Sequence, residues 1–163
     1  MGSFKKMPGN KKPKKAYRPK PVRLDTIDLA IESTRLLAEH DQYLIDVKIK
    51  NHAALEKLVK GQADKRDLTI LMAMLNATEA LLRLGKGKEY IEVVTTAEVE
   101  LKKVCEMWLR QKKAVLQYNQ IRAMQELIEL HDQQLAISTV ADMEKAIKLI
   151  RQRPAINVKL EST

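Results

Sequence analysis

The run DKRDLTILMAMLNATEALLRL, residues 64–84, cannot stand alone in water. Between Leu68 and Leu75 only Thr69 interrupts the apolar residues, so a helix here is apolar on nearly every face. Such a helix belongs inside a protein. It is too short for a membrane, because Asn76, Thr78, Glu79 and Arg83 break it well before the ~20 apolar residues a span requires. Asp64 or Asp67 is placed to cap its start, and Gly85 stands where a left-handed residue ends a helix. The other helices must therefore wrap this one. The expected fold is all-α, a bundle of four to five helices over residues 24–153 around a buried central helix. A chain of 163 residues with 45% apolar and only 4% aromatic residues suits such a bundle better than a sheet.

The net charge of +9 is unevenly placed. Residues 1–23 carry Lys5, Lys6, Lys11, Lys12, Lys14, Lys15, Arg18, Lys20 and Arg23 and no acid, whereas residues 24–163 hold 21 bases against 21 acids. Four of the five prolines (Pro8, Pro13, Pro19, Pro21) lie in the same segment. Like charges and prolines predict an extended, disordered basic arm. Within it Tyr17 beside Arg18 offers a stacking face inside a positive run, the combination single-strand binders use. The arm is the candidate nucleic-acid element: Lys5, Lys6, Lys11, Lys12, Lys14, Lys15, Tyr17, Arg18, Lys20 and Arg23. A solubilising tail and a nuclear import signal at KKPK are the competing readings. The basic start is followed by Pro and Lys rather than by an apolar core, so no secretory leader is expected. Cys105 is the only cysteine, which excludes an intramolecular disulfide and fits a reducing compartment.

Along the chain, residues 25–60 read as one long helix, or as two shorter ones with a break near Lys50-Asn51-His52, with Asp25 as cap and Gly61 at the end. Leu36, Leu37, Tyr43, Leu44, Val47, Leu55 and Leu58 form its apolar stripe. Gly85-Lys86-Gly87-Lys88 makes a tight connection. From residue 89 to 138 there is no Gly or Pro. There the stripe runs Val94, Ala97, Leu101, Val104, Trp108, Val115, Tyr118, skipping a turn at Gln111, then shifts to Ile121, Met124, Ile128, His131, Leu135. One long helix or two joined near residues 117–120 would satisfy it. The β-branched IEVVTT run leaves the start of this helix open: either it is helical, or it lies outside and Thr95 or Thr96 is the cap. Lys102, Lys103, Arg110, Lys112 and Lys113 are interleaved with Glu98, Glu100 and Glu106, the pattern of a solvated face. Thr139 with Asp142 forms a capping box for a last helix carrying Ala141, Met143, Ile147 and Ile150, which Pro154 stops. Its basic end (Lys145, Lys148, Arg151, Arg153) suits a helix C-terminus and could extend a nucleic-acid surface. Residues 154–163 read as a frayed tail.

One repeat draws the eye as chemistry: His40-Asp41-Gln42 and His131-Asp132-Gln133, each histidine on an apolar stripe. Facing helices would bring two imidazoles and two carboxylates together, a suitable donor set for zinc, iron or manganese. Against that, adjacent His and Asp point about 100° apart on a helix, and the Glu-x-x-His motif of carboxylate bundles is missing. A satisfied core histidine is the expected reading. No catalytic residue, metal or cofactor is expected, because no phosphate loop, nucleophile elbow or cysteine cluster occurs. A helix-turn-helix at residues 58–71 is rejected, since its reading helix would be the most apolar segment of the chain. Cys105, between Leu101 and Leu109, is expected to be buried and inert.

KAYRPKPV, KIKNHAAL, LNATEALLRLG and ELHDQQL together resemble small uncharacterised helical proteins of proteobacterial prophages and plasmids, over most of residues 16–153. The resemblance implies a bacterial cytoplasm and a mobile-element setting, and no activity. The expected function is that of a non-enzymatic, nucleic-acid-associated accessory protein, with the arm on phosphates and the bundle offering a partner surface or a homodimer interface. The alternative is a protein-binding module, an inhibitor or adaptor whose acidic target on a host complex mimics phosphate. No membrane partner is expected.

Overall fold

The computed structural model describes Gly2 and residues 41–152. The arm, His40, the start of the first expected helix and the C-terminal tail lie outside the described residues. Those described form an all-α bundle: α1 (Asp41–Val59), α2 (Lys65–Arg83), a 3-10 turn (Lys88–Tyr90), α3 (Ile91–Gln111), α4 (Tyr118–Ile137) and α5 (Val140–Gln152).

The segment that could not stand alone is α2, and it packs against each of the other four helices. Leu68, Leu71, Met74, Leu75, Leu81 and Leu82 are buried, joined by Leu55 and Leu58 of α1, Val94, Leu101 and Val104 of α3, and Met124 and Leu127 of α4. Only Thr69 and Ala73 of the run from Leu68 to Leu75 are exposed. Within this run the small residues thus face out and the large ones face in.

Each end of α2 is set by local chemistry. Asp64 is the N-cap: its carboxylate accepts the Asp67 N–H at 2.9 Å, and the Asp67 carboxylate accepts the Asp64 N–H at 3.0 Å. At the far end Gly85 takes φ +91°, and the Lys86 N–H reaches the Leu81 carbonyl at 2.9 Å, the bond that closes a Schellman cap. Gly61, at φ +71°, ends α1 in the same way.

Several boundaries depart from the pattern of the sequence. No break occurs at residues 50–52; α1 runs through them with Asn51 buried. The IEVVTT run is helical from Ile91, and Thr95, instead of capping, donates its hydroxyl to the Ile91 carbonyl at 2.9 Å. The preceding 3-10 turn already supplies the first helical turn, so β-branching does not delay α3. Helices α3 and α4 are separate, but the break falls earlier than expected, at Lys112, whose φ of +53° is left-handed. The skipped turn at Gln111 marked this end. Val115 and Tyr118, placed on the stripe by spacing, are consequently 61% and 79% exposed. In α5 the expected capping box forms, with Asp142 N–H to Thr139 Oγ1 at 3.1 Å and Thr139 N–H to Asp142 Oδ2 at 2.8 Å. Its inner face runs through Met143, Ala146, Leu149 and Ile150, while Ile147 is largely exposed.

Candidate functional site

Of the expected site residues, those of the arm lie outside the described residues, as does His40. The second member of the His-Asp-Gln repeat is described, and its two chemical groups point to different places. His131 is buried, with 2% of its surface exposed. Thr78 on α2 donates its one hydroxyl proton to the Met74 carbonyl at 2.8 Å. The same hydroxyl oxygen lies 3.1 Å from His131 Nδ1, a hydrogen bond whose direction follows the imidazole tautomer. Burial pushes the His131 pKa down to about 4, against the opposing pull of Asp132 and Gln134. A neutral histidine that bridges α4 to α2 is a structural group.

Beside it, Gln134 donates its amide to the carbonyls of Thr78 at 3.1 Å and Lys86 at 3.0 Å, tying α4 to the C-terminal end of α2. Asp132 turns the other way, and its Oδ2 lies 2.8 Å from Nε2 of His52 on α1. That pair went unforeseen. His52 lies beside the apolar stripe of α1, and only the packing of α1 on α4 brings it to Asp132. No group of three or more His, Cys, Asp or Glu suited to a metal ion occurs among the described residues.

Cys105 is fully buried, and burial raises its thiol pKa to about 11, with the charge of Glu106 adding to the effect. The thiolate needed for nucleophilic chemistry is therefore scarce at neutral pH. The segment rejected as a helix-turn-helix presents no reading helix: Leu68, Leu71 and Leu75 of α2 are at most 2% exposed. On α3, Lys102 pairs with Glu98 at 2.8 Å and Lys103 with Glu100 at 3.0 Å, as a solvated face would.

The remaining feature with the shape of a site lies where the α1–α2 and α3–α4 connections meet, Gly61 lying against Lys113 and Ala114. There an open cleft of about 600 Å³ is lined by Asp64, Lys65, Arg66, Thr69 and Ile70 of the α2 start and by Trp108 of α3. Helix α5 covers the C-terminal half of α2 at Ala80, Leu81 and Leu84, and one helical face onward Ala73 and Thr69 are left open. Trp108 is therefore partly buried rather than fully core. The ammonium of Lys112 sits 4.8 Å from its ring centroid, a cation–π contact. Asp64 holds its carboxyl below the usual range, chiefly through the hydrogen bond from the Asp67 backbone, so it stays ionised as the cap.

Comparison with known proteins finds no matching family model, no matching curated protein and no matching solved structure. No helix among the described residues is long and apolar enough to cross a membrane.

Proposed function

We propose that the chain is a non-enzymatic, nucleic-acid-associated accessory protein of a phage or mobile element. The arm contacts phosphates without reading sequence, and the bundle is the scaffold that presents a partner surface or a homodimer interface. The observation that carries this reading is the segregation of charge: nine bases and no acid in residues 1–23, ahead of a body with 21 bases and 21 acids. Concentrated positive charge on an extended segment releases counterions from a phosphate backbone, the sequence-independent source of affinity. Prolines favour an extended backbone and lower the ordering cost of binding. The resemblance to prophage and plasmid proteins supplies the setting.

The test is binding of short DNA and RNA, single-stranded and duplex, across a salt series, with the full chain and with a full chain whose Lys11, Lys12, Lys14 and Lys15 are changed to Gln. Log Kd should rise with log salt by ~0.9 for each duplex phosphate neutralised, and the four substitutions should flatten that slope. Equal slopes for the two proteins would move the contact to the body, near Lys145 and Arg151. Absence of binding by either protein would end the nucleic-acid reading and favour an acidic protein as target.

A further inference from the structure

The cleft at the start of α2 combines two surfaces that rarely coincide without a ligand to match them. Its lining is mainly apolar, contributed by Ile70, the methyl of Thr69 and the ring of Trp108. Its rim is cationic. Lys65 and Arg66 are exposed there, and neither has a carboxylate partner among the described residues. Lys112 places its ammonium over the ring of the same tryptophan, 4.8 Å from its centroid, without itself lining the cleft. The one acid on the cleft, Asp64, spends its Oδ1 on the first turn of α2.

An occupant must therefore present a flat apolar face and carry negative charge beside it. We infer that the cleft takes an unpaired base of a single-stranded nucleic acid, stacked against Trp108, with the flanking phosphates on Lys65 and Arg66. An aromatic platform bordered by cations is how single strands are held without sequence preference, since every base has a π-face. A duplex cannot use it, because its bases are already stacked and only its phosphates remain available. This rests on the nucleic-acid reading and deepens it: the arm supplies reach and charge, and the cleft supplies a preference for single strands.

Trp108 is the only tryptophan, so its emission reports on the cleft alone. The full chain is titrated with an end-labelled oligothymidylate and with a duplex of equal length, following the anisotropy of the label and the emission of Trp108 together. With the single strand, Trp108 emission should be quenched in step with anisotropy, and the duplex should bind with little quenching. The Lys65→Glu/Arg66→Glu variant alters two exposed side chains and leaves the Asp64 cap in place. It should raise Kd for the single strand by about tenfold or more, within what a stacked base and its phosphates contribute. Binding seen by anisotropy without quenching, or with unchanged affinity in the variant, overturns the cleft assignment and leaves the arm reading standing. Absence of any binding overturns both. Quenching by polyglutamate but not by the oligonucleotide assigns the cleft to an acidic protein and overturns the inference.

Discussion

His131 shows what a single buried side chain contributes. Its imidazole is neutral in the fold because burial outweighs Asp132 and Gln134 in setting its pKa at about 4, while an unfolded chain would return it to the ordinary histidine value of 6.5. Between those two values the unfolded state binds more protons than the folded one, so stability rises with pH there. The contribution is fully present above about pH 6.5 and is lost as pH falls toward 4. A shift of this size corresponds to on the order of 3 kcal/mol. Urea unfolding followed from pH 7 to pH 4 should show this loss, and His131→Gln should flatten the profile over that interval. An unchanged slope in the variant would mean that His131 is not the titrating group.

At the scale of elements, the helix ends explain why each segment stops where it does. Gly85 at φ +91° closes α2, and an added Cβ would meet only Lys88 Cε at 3.8 Å. Gly85→Ala should therefore cost about 1–2 kcal/mol through backbone conformation alone, with no clash to relieve. Thermal unfolding of the variant checks this, and a loss much above that range would mean that packing at the connection had been disturbed. Lys112 ends α3 in the same left-handed region although it carries a side chain. Its backbone N–H bonds the Trp108 carbonyl at 2.7 Å and its ammonium rests over the Trp108 ring, so one residue both ends the helix and packs on its tryptophan. Residues 112–117 contain no glycine or proline, which is why composition alone placed this joint too late.

In the whole molecule, one helix holds the rest together. Because α2 touches α1, α3, α4 and α5, a cavity made in it is felt by every other element. Leu71 is fully buried at its centre, and Leu71→Ala should cost about 2–5 kcal/mol. The loss should appear as a single unfolding transition, shifted together whether read by helical circular dichroism or by Trp108 emission. Separate shifts of the two signals would show that α5 or α1 unfolds independently of the centre. The segregation of charge belongs to this scale too: nine bases and no acid in residues 1–23 precede a body with 21 bases and 21 acids.

The amino-acid sequence by itself determined the all-α class, the burial of the large apolar residues between 68 and 82, a cap at Asp64 or Asp67 and another at Gly85, the Thr139–Asp142 box and the burial of Cys105. Each is a local or compositional matter: a helix apolar on most faces, a carboxylate within reach of an N–H three residues on, a glycine where φ is positive. What only the tertiary structure decided depends on which helices face each other. His131 meets Thr78 across 53 residues, and Asp132 turns from it to His52 across 80. Among the described residues α5 packs on α2 at Ala80 and Leu81, while Thr69, Lys65 and Arg66 are exposed and line the cleft with Trp108. No periodicity within one segment encodes such an opening, since it is the space that two other segments leave unfilled.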